Sequence, residues 1–141
     1  MEPVAAVVVD AGPLYAYVDA DDAHHEECLA FLTSHRGPLA VPVLVVAEVA
    51  HLLGTRLGPN PEVRFLGDLA SGAFATIAVE GDDWIRIAEL VARYRDLPLG
   101  TVDASVVAAA ERLGITTVAT LNRRHFGVVR PAHVAGFELV P

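Results

Sequence analysis

The chain has 141 residues, a formal net charge of −8 at pH 7 and 53% hydrophobic residues. That length suits one domain with one sizeable core, and that apolar share excludes a disordered chain. The negative charge excludes a general electrostatic binder of nucleic acid, but not an enzyme that grips phosphates through metal ions and a few local arginines.

All ten basic residues are arginine, so every mechanism that needs a lysine is ruled out. The one cysteine, Cys28, cannot form an internal disulfide, which favours a reducing compartment. Met1-Glu2-Pro3 lacks the positive segment that opens a secretory signal. The longest later apolar stretch, residues 39–47, contains Pro42 and falls far short of the ~20 residues that span a bilayer. A cytoplasmic protein with no membrane segment is expected.

In chain order, residues 4–9 are a continuous valine and alanine run, the pattern of a strand buried on both faces of a parallel sheet. Gly12-Pro13 turns the chain into a short helical stretch over residues 14–19. Asp21 or Asp22 then caps a helix over residues 23–35. Gly37-Pro38 breaks it, residues 39–41 read as a short strand, and a helix carrying Glu48 runs from Pro42 to Leu57-Gly58. Asn60-Pro61 starts another helix that ends near Ser71-Gly72.

Residues 74–79 are read as a further buried strand. Asp82 is the expected cap of an amphipathic helix that puts Trp84, Ile87, Ala88, Val91 and Tyr94 on one face. After a loop over residues 97–100, a helix of small residues over 103–113 is stopped by Gly114. Residues 116–120 form a strand, 122–126 a loop and 137–140 a last edge strand. Strands alternating with helices predict one α/β domain over residues 1–141, a three-layer α/β/α sandwich with a mainly parallel sheet.

Three acids interrupt apolar sequence: Asp10 closes the first strand, Glu48 sits inside an apolar helix, and Asp103 precedes the run 104–110. A carboxylate buried among apolar groups costs several kcal/mol unless a cation or hydrogen bonds compensate it. Open parallel sheets bind ligands beyond the carboxyl ends of their strands, where Asp10, Asp103 and Asn122 can converge and Glu48 can lean in. Those four side chains offer oxygen ligands alone, which suits Mg²⁺ or Mn²⁺ and not zinc. Each acid also admits a structural explanation. Asp10 could shape a turn, Asp103 could cap its helix, and His51 could partner Glu48 one turn away.

Arg123, Arg124 and His125 follow Asn122 and would set cations at the rim of the acidic pocket, where the arginines could hold backbone phosphates or simply be solvated. Arg56, Arg64, Arg93, Arg95 and Arg130 read as surface or helix C-terminal charges. The run from His24 to Cys28 does not read as a zinc site, because successive helical residues point in different directions. Trp84, Tyr94 and Phe65 read as core.

The order of these features resembles the PIN-domain ribonucleases. It rests on the apolar strand ending in Asp10, Pro42-Val-Leu-Val-Val-Ala-Glu48-Val, Leu99-Gly-Thr-Val-Asp103-Ala-Ser, and Thr120-Leu-Asn-Arg-Arg-His-Phe126. The nearest subset looks like the VapC-type toxins of bacterial toxin–antitoxin pairs. The resemblance implies a PIN fold, an Mg²⁺ or Mn²⁺ site, endonucleolytic cleavage of RNA, a homodimer and an antitoxin partner. Asp10, Glu48 and Asp103 match the family's first three acids, and Thr101 its frequent hydroxyl near the site. Asn122 departs from the pattern, which has an aspartate there, so a second metal would be held more weakly.

The implied chemistry is hydrolysis at phosphorus by a metal-activated water. Asp10 and Asp103 would hold the ion, Glu48 would orient or deprotonate the water, and Asn122 would complete the ligand set. A competing expectation is a module weakened by Asn122 that acts mainly through antitoxin or RNA binding. Haloacid-dehalogenase-like phosphatases need an aspartate where this chain has Gly12, and receivers and phosphate-binding P-loops need a lysine. Serine nucleophile chemistry lacks its Gly-x-Ser-x-Gly elbow.

Overall fold

The computed structural model describes residues 4–141, so the signal-segment reading of Met1-Glu2-Pro3 lies outside it. The elements are β1 (Val7–Val9), α1 (Ala11–Val18), α2 (His25–Ser34), β2 (Leu39–Pro42), α3 (Val43–Arg56) and α4 (Pro59–Ala70). They continue with β3 (Ala75–Ile77), α5 (Gly81–Arg93), α6 (Thr101–Leu113), β4 (Thr117–Ala119), α7 (Arg123–Val128) and β5 (Glu138–Val140). All pairings are parallel, in the order β3-β2-β1-β4-β5, with helices flanking the sheet as expected from the alternation of elements.

The central strand is β1, and its three valines are almost wholly buried. Val7 and Val8 sit beside Leu39 and Ala40 of β2, while Val7, Val8 and Val9 sit beside Thr117, Val118 and Ala119 of β4. A β-branched run suits a strand packed on both faces. The chain lays β2 and then β3 to one side of β1, and later returns to lay β4 and β5 on the other. That reversal makes the carboxyl ends of β1 and β4 the switch point where a ligand cleft opens. Phe65, expected in the core, is fully buried there, as are Cys28, Leu14, Leu53 and Phe126.

Several local expectations shift. The run 4–9 is ordered as a strand only from Val7, and Val4 and Ala5 are exposed. The segment 74–79 is an edge strand, not a buried one: Ala75 and Thr76 of β3 are exposed, because only β2 pairs with it. Helix α1 begins at Ala11, so Gly12 and Pro13 belong to its first turn, where proline's missing N–H is harmless. Gly12 lies where α1 passes the segment after β4, and a Cβ there would stand 3.3 Å from the Leu121 side chain.

Helix α5 is capped by Glu80, not Asp82, and the Glu80 amide donates to Asp83 Oδ2 at 3.0 Å. Its buried stripe is Asp83, Ile87 and Leu90, which leaves Trp84 half exposed at the surface rather than in the core. Asp83 is tolerated inside because Arg112 of α6 donates to it at 3.1 Å. Tyr94 is half buried, with its hydroxyl accepting from the Arg130 amide at 2.9 Å. Residues 122–126, expected as a loop, instead begin α7, and Gly114 stops α6 with φ +68° as expected. His24 pairs with Glu27 and His25 with the Ala16 carbonyl, so the two rings face different neighbours. Among the described residues, no helix is long and apolar enough to cross a membrane.

Candidate active site at the switch point of the sheet

Asp10 leaves β1 at the switch point, with its amide donating to the Ala119 carbonyl at 2.9 Å. Its side chain is 6% exposed, and Oδ2 accepts from the Thr120 hydroxyl at 2.9 Å. Burial pushes its pKa up to about 6; nearby donors at Ala11 and Thr120 oppose the rise, and the charges of Asp103 and Glu48 add to it. Thr120 is itself 1% exposed, and its Oγ1 accepts from the Asn122 amide at 2.9 Å. With that lone pair engaged, the hydroxyl hydrogen is left to point at Asp10.

Asp103 stands in the first turn of α6, where Oδ2 accepts from the Gly100 amide at 3.4 Å and lies 3.1 Å from His125 Nδ1. With Nδ1 protonated, His125 donates to it. The other carboxylate oxygen, Oδ1, takes no hydrogen bond from the described residues and is available to a ligand. Asn122 caps α7, and its Oδ1 accepts from the His125 amide at 3.1 Å. This bond holds His125 where it meets Asp103.

Glu48 departs from the expected burial. It is exposed, because its face of α3 borders an open cleft rather than the core, and it makes no hydrogen bond to His51, which is exposed as well. Partial desolvation and the charge of Asp103 still raise its pKa. Asp10, Glu48, Asp103 and Asn122 all line one cleft of about 490 Å³, together with Tyr15 and Arg56.

The cleft does not take in every residue singled out in the sequence. Thr101, at the start of α6, is exposed and outside the lining, and the buried site hydroxyl is Thr120 instead. Arg123 and Arg124 are also outside it, with the Arg123 guanidinium donating to the Pro141 carbonyl at 2.5 Å. The sequence reading missed Thr120, Tyr15, His125's contact and Arg56. For Arg56 the signal was present: Glu48, Leu52 and Arg56 follow at steps of four on α3, share one face and all line the cleft.

A hard divalent cation fits the donor set, since the facing side chains of Asp10, Glu48, Asp103 and Asn122 bring carboxylate and amide oxygens. Desolvation raises the pKa of both Asp10 and Glu48, and the charge of Asp103 adds to each, so a cation in the cleft would relieve the surplus of negative charge. Among the described residues, no three His, Cys, Asp or Glu side chains are gathered tightly enough to hold an ion by themselves. They ring a space that water and substrate phosphate would share with the ion.

The sequence and the fold match known proteins. Residues 7–130 match the PIN domain. The chain belongs to the PIN-domain family. It is 33% identical over 135 residues to Ribonuclease VapC26 of Mycobacterium tuberculosis, covering 96% of this chain and all of that one. The fold matches the crystal structure of VapC20 from Mycobacterium tuberculosis, a toxin that cleaves the sarcin–ricin loop, with a TM-score of 0.79 at 22% identity. That match covers 92% of this PIN domain's chain and 98% of VapC20. DNA-bound VapBC from Salmonella typhimurium matches with a TM-score of 0.69 at 15% identity, over 96% of both chains. The PIN-like three-layer fold and the VapC-type resemblance expected from the sequence are thereby borne out.

Proposed function

We propose that this PIN domain is a divalent-metal-dependent endoribonuclease, the toxin of a toxin–antitoxin pair. The observation that carries the proposal is the convergence of Asp10, Glu48 and Asp103 on one cleft at the sheet's switch point, in a chain whose relative VapC26 is a ribonuclease. Asp10 and Asp103 would hold Mg²⁺ or Mn²⁺, and the Asn122 amide oxygen would complete the ligand set. The ion, when bound, lowers the pKa of a water and neutralises charge developing on the phosphate. Glu48, its pKa raised by partial desolvation and by the charge of Asp103, would take the proton of the attacking water at its carboxylate. Thr120 and His125 each fix one oxygen of Asp10 and Asp103, so the opposite oxygens keep their aim.

The substrate is a structured RNA with an exposed loop, since unstacked bases are what a small protein reads most readily. The partner is a cognate antitoxin that brings a basic group into the cleft, where four carboxylates, Asp10, Asp22, Glu48 and Asp103, would receive it. The protein works in the cytoplasm as a homodimer, for which exposed Val63, Leu66, Trp84 and Ile85 offer apolar surface.

Purified antitoxin-free protein incubated with total RNA should yield discrete products with Mg²⁺ or Mn²⁺ and none with chelator. Undigested RNA in every lane would count against the ribonuclease. Asn122 favours a second possibility, a weakened module that acts by binding. The two separate on Asn122→Asp. In an active enzyme the aspartate keeps the α7 cap and raises the cleavage rate by less than about tenfold, or ~1.4 kcal/mol. A rise of several hundredfold, read by the same gel assay, would mark the native protein as the weakened module.

A further inference from the structure

We propose that Arg56, seated on the ring of Tyr15, is the residue that grips the RNA backbone at a phosphate further along the strand than the scissile one. This assignment rests on the ribonuclease proposed above. The cleft sets four carboxylates against one guanidinium, so an incoming RNA strand finds a single positive group in its lining. Arg56 forms no ion pair among the described residues. Arg86 and Arg112, by contrast, are tied to Glu111 and Asp83.

The guanidinium is placed rather than loose. Its carbon stands 5.0 Å from the centroid of the Tyr15 ring. Tyr15 is 7% exposed, and its hydroxyl donates to Asp19 Oδ2 at 2.6 Å, which fixes the ring. Held over the ring, a guanidinium with five N–H donors still has a pair to offer for a bidentate grip on a phosphate. That order is prepaid before RNA arrives, since less side-chain freedom is lost on binding.

Position decides which phosphate is held. Arg56 lies eight residues beyond Glu48 on α3, roughly 12 Å along the axis. At that spacing it serves a phosphate further along the strand than the one being cut. A contact there strengthens the bound substrate and the transition state equally, so it governs KM and leaves kcat alone. Arg123 and Arg124, outside the cleft, contribute little to this grip.

The test uses a fluorescein-labelled RNA stem-loop. Binding is read by anisotropy on the full chain carrying Asp10→Asn, so the RNA stays intact, and cleavage is read with otherwise native protein. Arg56→Gln keeps the side-chain stem on Tyr15 and removes the charge. It should weaken binding about tenfold, raise KM similarly, leave kcat within about twofold, and flatten the salt dependence by about 0.7 in log–log slope. Arg56→Lys, with charge but no fork, should fall between. Arg124→Ala should stay within twofold of native. Binding unchanged in Arg56→Gln, or a loss confined to kcat, overturns the assignment. RNA bound in an Arg56-dependent way but never cut would sink the ribonuclease and leave the Arg56 contact standing. No binding by either protein would overturn both.

Discussion

Asp10→Asn is expected to reduce RNA cleavage by at least about a thousandfold while making the metal-free protein more stable above pH 6. The loss of activity follows from removing a charged ligand oxygen at the centre of the cleft. The gain in stability follows from burial. Unfolded Asp10 titrates near 3.8, but the folded side chain holds its proton to about pH 6. Between those values the folded state binds a proton that the unfolded state has released. Stability therefore falls as pH rises from about 4 through 6, and the full cost is present above that. Below about pH 4 both states are protonated and the cost vanishes.

That cost is on the order of 2 to 3 kcal/mol, several degrees of Tm in a chain of this size. Asparagine carries no charge to bury and still accepts the Thr120 hydroxyl through its amide oxygen. Melting curves in chelator from pH 4 to 8 should converge at the acid end and separate above pH 6, with Asp10→Asn the more stable. Adding Mg²⁺ should raise the native Tm and barely move that of the variant, because the ion binds the folded native site preferentially. If the variant melted at or below native at pH 8, Asp10 would not be a charge buried at a cost.

The same burial explains what the sequence could disclose. Asp10 and Asp103 were singled out less by either position alone, since one could shape a turn and the other could cap its helix, than by their joint placement at the carboxyl end of a parallel sheet. The valine run of β1 identified the central strand for a similar reason: only a strand covered on both faces tolerates it. Glu48 was singled out for a reason the structure overturns. It was expected to be buried, but its face of α3 lies open to the cleft, and the same face carries Arg56 unnoticed.

Other features depend on contacts between residues far apart in the chain. Trp84 was assigned to the core because the pattern of α5 fits either of two faces one residue apart. The choice is made by Asp83, which is drawn inside by Arg112, 29 residues away. Helix α7 has no apolar period to announce it, and it starts from the Asn122 cap. Asn122, read only as a missing acid, cannot be recognised locally as the residue that orders both Thr120 and His125.

Thr120→Val tests that last connection and should have the second-largest effect. Valine matches threonine in shape and fills the same buried space, but it can neither accept from the Asn122 amide nor donate to Asp10. One amide loses its partner and one buried carboxylate loses a hydrogen bond, at a stability cost of about 1–3 kcal/mol. With Asp10 free to turn, its ligand oxygen loses its aim, and losses of this kind weaken metal affinity or activity about 10–100-fold. The Mn²⁺ concentration that raises the Tm half-maximally should increase by that factor, and cleavage should fall in step. Thr120→Ser restores both hydrogen bonds and should return the Mn²⁺ response to within about twofold of native, since only a methyl group is missing. A valine variant that takes up Mn²⁺ as native does would show that Asp10 is aimed by its backbone position at the end of β1 rather than by Thr120.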